Sequence, residues 1–210
     1  MKAAKNVVVL GAAGKVGSLV VADALADGHA VTAFVHGNHE LPEHSRLRVV
    51  KGDVYNRADV EAALAGADVV VSTLSSWGTP YKDVLAAAMT NVVPVAERFG
   101  IKRVVSLTGA DARVADDDMS LLHRVSHAML IMIGGKVLRD GERHVELLRQ
   151  SRLDWTVVRS PVMTNARSTG YLLDNHRPAP WALVSRRAVA RAMVDQIVSR
   201  ENLRQAPYIH

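Results

Sequence analysis

The chain has 210 residues, 49% of them hydrophobic, enough for one large domain with a full core. It holds no cysteine, which excludes disulfides and thiolate metal sites and fits a reducing cytoplasm. Its net charge of +5 comes from scattered Lys and Arg, and only 4% of residues are aromatic, so attraction for an anionic cofactor is expected and nucleic-acid binding is not.

Val7 to Leu10 reads as a first strand, and Lys15 to Asp27 as a helix with Val16, Leu19, Val20 and Leu25 inward and Gly28 as its stop. Between them runs Gly11-Ala12-Ala13-Gly14-Lys15-Val16-Gly17. A strand feeding a Gly-rich turn into a helix N-terminus is a phosphate-binding device, because free N–H groups and the helix dipole face the ligand there. Gly11 suits the tight turn, Gly14 the approach of a pyrophosphate, and Gly17 the packing of helix on sheet. A purely structural turn is the bland alternative.

Val31 to Val35 reads as the second strand and Leu47 to Val50 as the third, followed by Gly52-Asp53. Arg57 to Ala65 is a helix with a Gly66 stop, Val69 to Thr73 the fourth strand, Val84 to Phe99 a long helix ended by Gly100, and Arg103 to Leu107 the fifth strand. Ser120 to Ile133 and Asp140 to Gln150 read as two helices. Trp155 to Val158 is a sixth strand, and Met163 to Ala182 an irregular loop. Arg186 to Ser199 is a last helix, and Tyr208-Ile209 a short final strand. Alternating strands and helices imply an α/β, doubly wound parallel sheet, the Rossmann fold, with a small irregular C-terminal substrate region. One domain over 1–210 is expected. No run is long enough to span a bilayer, and Lys2 and Lys5 lead straight into a strand rather than a signal peptide. The expected setting is the cytoplasm, away from membranes, as a monomer or homodimer.

Ligands of open parallel sheets bind beyond the C-terminal ends of the strands. At the second-strand exit, Phe34-Val35-His36-Gly37-Asn38-His39 brings no acid before Glu40. Two imidazoles there can help bind the 2′-phosphate of NADP, with NAD possible; solvated loop histidines are the alternative. Asp53 can accept from the adenine amino group with Val54 packed on the ring, or simply cap a turn. Ser72, Thr73, Leu74, Ser75 and Ser76 let a cofactor lie close, or cap the next helix. Thr108 sits at the fifth exit, beside the expected nicotinamide, where its hydroxyl can orient a substrate oxygen or merely shape a turn with Gly109.

Other chemistries find little support. No Tyr-x-x-x-Lys occurs: Tyr81 precedes the fifth strand, and Tyr171 has no lysine nearby. His123 and His127 lack a third metal ligand, Asp116-Asp117-Asp118 reads as a loop or cap, and no Gly-x-Ser-x-Gly elbow appears.

The glycine turn, Gly52-Asp53-Val54, Gly66-Ala67-Asp68-Val69-Val70, Gly100 to Val105 and, most specifically, Asp154 to Pro161 together resemble the atypical short-chain dehydrogenase/reductase family. The likeness is to its NAD(P)-binding, NmrA-like and flavin-reductase-like (biliverdin reductase B-like) branch. Two positions depart: His36 stands where that branch usually has arginine, and Ser160 separates Arg159 from Pro161, altering the loop over the nicotinamide. The resemblance implies an NAD(P)H-dependent oxidoreductase that reduces a flavin, quinone or similar planar small molecule, or else a non-catalytic NAD(P) sensor. Expected cofactor residues are Gly11, Ala13, Gly14, Lys15, Val16, Gly17, His36, Asp53, Val54, Thr73, Leu74, Ser75, Thr108 and Pro161. Segments 112–139 and 163–185 are expected to form the acceptor pocket, with Leu121, Met129, Met132, Met163 and Tyr171 as apolar contacts; ordinary core packing is the alternative for each.

Overall fold

The computed structural model describes residues 3–114, 117 and 121–210. The strand–helix alternation is realised as β1 (Asn6–Leu10), α1 (Gly17–Ala26), β2 (Ala30–Val35), β3 (Leu47–Lys51), α2 (Arg57–Leu64), β4 (Val69–Ser72), α3 (Val84–Phe99) and β5 (Arg103–Gly109). The second half contributes α4 (Leu121–Gln150), β6 (Asp154–Ser160), β7 (Val162–Thr164), β8 (Leu173–Asp174), β9 (Leu183–Ser185), α5 (Arg186–Asp195) and β10 (Tyr208–Ile209).

The main sheet runs β3-β2-β1-β4-β5-β6-β10-β8, parallel except where β8 meets β10. β1 shows why two faces need covering. Val7 and Val9 enter one core with α1 and α5, while Val8 and Leu10 enter the other with α2 and α3. All four are at most 1% exposed, so each contributes roughly 1.5–3 kcal/mol of apolar burial. The chain winds outward from β1 in both directions, through β2 and β3 on one side and β4, β5 and β6 on the other. The gap between the exits of β1 and β4 is therefore the point where a doubly wound sheet opens a ligand crevice.

Two differences from the sequence expectation matter. As expected from the sequence, two helical stretches meet at Gly134, which leaves helical geometry (φ −138°, ψ 28°); they abut there as the kinked run α4, so that 135–139, expected between the helices, are helical too. The Trp77 ring lies 3.2 Å from where a Cβ on Gly134 would stand, so the kink is packed from outside. The loop expected over 163–182 contains β8 and most of β7, and β7 pairs in parallel with β9 as a separate two-stranded sheet. Ser120, Asp116 and Asp118 lie outside the described residues, as do the side chains of Leu121 and His123. Among the described residues no helix is long and apolar enough to cross a membrane.

Candidate functional site

The turn after β1 is built as a cradle. Gly11 has φ +75°, a conformation that L side chains rarely adopt, and its carbonyl accepts from the Gly14 amide at 2.9 Å. Ala13, Gly14 and Lys15 are exposed at the tip, while Ala12 and Val16 are buried beneath it. α1 starts at Gly17 without any side-chain cap from Val16, and the Ser18 amide of its first turn donates to the Gly14 carbonyl at 2.9 Å. Gly17 packs differently from the expectation. A Cβ there would strike the Gly11 carbonyl and come within 2.8 Å of Thr73 Oγ1 and 2.9 Å of Ala12 Cα, so this glycine closes the turn on itself.

Thr73 belongs to the same construction. It is 8% exposed, and its hydroxyl donates to the Leu10 carbonyl at 2.9 Å with the Gly11 carbonyl 3.2 Å away. Its role is to fasten the turn of β1 to the exit of β4. Leu74 backs Gly11, and Ser75 Oγ accepts from the Trp77 amide at 3.2 Å. The expected capping of α3 by this cluster is replaced by a carboxylate from another helix. Asp140 of α4 accepts from the amides of Leu85 (3.1 Å) and Ala86 (2.8 Å). Burial nonetheless raises the Asp140 carboxyl above its ordinary range, against those two bonds.

At the exits of β2 and β3, His36 Nδ1 stands 4.0 Å from Asp53 Oδ2. The ring of Tyr81 meets His36 edge-on with centroids 6.2 Å apart, so three strand exits converge here. Asp53 also accepts from the Tyr55 amide at 2.9 Å, the turn-capping geometry. Val54 is buried at 8% exposure and offers only an edge to a ligand. His39 is turned into its own loop, its Nδ1 accepting from Leu41 N at 3.4 Å.

At the exit of β5, Thr108 is 7% exposed and lies under α4. Its Oγ1 is 2.7 Å from where a Cβ on Gly141 would stand, so a glycine is needed for the helix to approach. Below it, Ser106 Oγ and His144 Nε2 form a buried pair 2.8 Å apart, and burial pushes the His144 imidazole down to about 4. Sequence reading did not single out either residue.

Two arginines outside the expected set organise the far side. Arg159 donates through Nε to the Ala206 carbonyl (2.7 Å), through Nη1 to both oxygens of Asp117, and stacks on Tyr208 with its Cζ 3.7 Å from the ring centroid. Arg177 Nη2 donates to Asp111 Oδ1 at 2.9 Å. The Arg159 side of the fold was legible only as a family-like run. Ser160 Oγ donates to the Pro161 carbonyl at 2.9 Å, so the inserted serine is absorbed locally. The expected apolar contacts are dispersed. Met129 and Met132 are 60% and 88% exposed, and Tyr171 donates its hydroxyl to Asp195 Oδ2 at 2.8 Å, tying it to α5.

Comparison with known proteins agrees with this layout. The NAD(P)H-binding family model matches residues 11–200. A short-chain dehydrogenase/reductase from Veillonella parvula, solved in complex with NADP, superposes with a TM-score of 0.78 at 22% identity, covering 98% of this chain and 94% of that one. An anaerobillin reductase, ChuY, from Escherichia coli O157:H7 gives 0.75 at 19% identity, covering 97% and 96%. At these identities the likeness is one of fold. Among curated proteins, a 3-beta-hydroxysteroid dehydrogenase from Mycolicibacterium neoaurum is 40% identical over 68 residues, 32% of this chain. The match spans 19% of that relative's length, about a fifth. The short-chain dehydrogenase/reductase likeness read from the sequence is met in these structures as a likeness of fold, and the family model shows the family: the chain belongs to the NAD(P)H-binding family.

Proposed function

We propose that this protein is an NAD(P)H-dependent oxidoreductase that passes a hydride to a flavin, quinone or similar planar acceptor, with NADP as the preferred cofactor. The observation that carries the reading is the uncapped start of α1 beneath a positive-φ Gly11 and an exposed Gly14. These residues fit a dinucleotide: a helix start without a side-chain cap suits a pyrophosphate, and no side chain fills the space at Gly14. When bound, the cofactor supplies the hydride from C4 of its nicotinamide.

The chain's own residues hold and exclude. Gly11, Ala13, Gly14, Lys15, Val16 and Gly17 form the phosphate cradle, with Thr73 and Leu74 bracing it from β4. His36 and Asp53 face the adenosine side, and the absence of an acid from the end of β2 until Glu40 leaves room for a 2′-phosphate. Ser75, Thr108 and Pro161 border the nicotinamide side, Thr108 as a buried wall rather than a proton donor. A planar acceptor can take its proton from solvent, so positioning and exclusion of water suffice. The NADP complex of the Veillonella protein and the anaerobillin reductase ChuY, both alike in fold, support the cofactor and the acceptor class.

A second reading is a catalytically silent NAD(P) sensor. It is favoured by the 7% exposure of Thr108 and by the tie of Tyr171 to Asp195, which remove two polar groups from the crevice. Steady-state oxidation of NADPH against a panel of flavins and quinones tests the choice. Saturable turnover supports the oxidoreductase; tight NADPH binding without turnover supports the sensor.

A further inference from the structure

Arg177 lies in the loop that follows β8, and its side chain is 7% exposed. Its Nη2 reaches Asp111, two residues beyond the end of β5. The guanidinium head therefore sits beside the exit of β5, at the end of the sheet where ligands of open parallel sheets bind. Nη1 of the same guanidinium is buried and has no hydrogen-bond partner. Arg159, close by, is the contrast. It places Nε and Nη1 on a carbonyl and a carboxylate and its face on Tyr208. Both of these Arg159 nitrogens meet an acceptor, whereas Arg177 keeps a buried nitrogen without one.

A buried donor left without an acceptor costs free energy, and a guanidinium fork is matched in shape and charge to carboxylates and other oxyanions. The carboxylate of Asp111 is 42% exposed, so it can give way to a competing anion from solvent. We infer that Arg177 is an anion-recognition residue of the acceptor site, and that the preferred acceptor carries a carboxylate, phosphate or sulfonate on or near its planar ring. Asp111 holds the guanidinium in position until that anion arrives. The inference rests on the proposed reduction of a planar acceptor.

The test uses the NADPH-loaded protein and two probes, 1,4-naphthoquinone-2-sulfonate and 1,4-naphthoquinone. Both binding by calorimetry and kcat/KM are measured, and the anionic-to-neutral ratio is followed. Arg177→Met lowers that ratio about tenfold or more, the loss expected for a charge-assisted hydrogen bond. Arg177→Lys restores part of it, and Asp111→Asn raises it by freeing the guanidinium. If Arg177 only latches its loop to β5, Arg177→Met and Asp111→Asn change the melting temperature alike and leave the ratio where it was, which overturns the inference. Should Arg177→Met fail to fold, an unchanged ratio in Asp111→Asn overturns it equally. If neither quinone is reduced, the oxidoreductase reading falls, and the calorimetric ratio still decides the role of Arg177.

Discussion

The Thr73 hydroxyl lies 3.2 Å from the carbonyl of Gly11 and donates to the neighbouring Leu10 carbonyl, so the exit of β4 holds the shape of the turn that follows β1. A Cβ on Gly17 would enter the same space, 2.8 Å from Thr73 Oγ1. Gly14 stands outside that lock, its own Cβ position 3.1 Å from the Gly11 carbonyl and otherwise open. The two glycines should fail in different ways. Gly14→Val keeps the fold and abolishes NADPH binding. Gly17→Val also lowers stability, by about 1–3 kcal/mol, the usual cost of overpacking. Calorimetric titration beside a thermal melt separates them; equal melting losses would show that Gly14 too is part of the lock.

Removing the Thr73 hydroxyl should matter more than removing its methyl group. Thr73→Val removes one of the two donors to the Leu10 carbonyl, leaving the Thr73 amide at 3.0 Å, and costs about 1 kcal/mol, while Thr73→Ser stays close to the parent. NADPH affinity should follow the same order, because the hydroxyl shapes the cradle rather than touching the ligand. Equal urea midpoints for the two variants would argue against this fastening role.

The buried His144 gives stability a defined pH dependence. Its folded-state value of about 4 lies below the ordinary 6.5, so the unfolded chain binds the proton first as pH falls. The stabilisation is therefore present above about pH 6.5 and is lost between 6.5 and 4, on the order of 3 kcal/mol in all. His144→Gln should flatten that limb of the stability curve. Chemical denaturation at several pH values checks it, and an identical slope in parent and variant would assign the loss elsewhere.

The Arg159–Asp117 pair is 4% and 9% exposed on its two side chains. Asp117→Ala leaves a buried guanidinium with only the Ala206 carbonyl and the Tyr208 face, and should destabilise by about 3–5 kcal/mol. Replacing both partners, Arg159→Met with Asp117→Leu, should recover most of that loss. A double variant as unstable as the single one would show that the guanidinium's contacts to Ala206 and Tyr208 carry the energy instead.

These sites were unequally legible in the sequence. α3 runs from Val84 to Phe99 as read, because a long amphipathic pattern ending in Gly100 is a local signal. The glycine turn was legible for the same reason, a strand, a turn and a helix in one short run. The break between two helices at Gly134 was legible, but not that the second begins directly after it rather than at Asp140, because the packing of Trp77 on Gly134 and the burial of Val137 and Leu138 are made by the fold. The β7–β9 sheet escaped because its two short runs pair across about twenty residues of loop, and neither shows a period on its own. Arg177–Asp111 and Ser106–His144 span 66 and 38 positions, and no spacing rule reports a contact that only the fold creates.

Cofactor choice should rest on the second-strand exit. His36 follows β2 directly, and no acid comes after it before Glu40, so His36→Arg should raise the NADPH-to-NADH affinity ratio by about tenfold through a charge-assisted contact to the 2′-phosphate. His39→Ala should change it little, because His39 is engaged with Leu41. The same ratio in the His36→Arg variant and the parent would place the 2′-phosphate away from this strand exit.

The most direct measurement of the central claim is a single turnover of protein-bound NADPH with a quinone or flavin, comparing cofactor with and without deuterium at C4. The account predicts that nicotinamide absorbance decays only when acceptor is present, that deuteration at one face slows the decay, and that Gly14→Val abolishes it. Saturable NADPH binding with no decay against any planar acceptor would contradict it, and would leave a dinucleotide-binding protein without hydride chemistry.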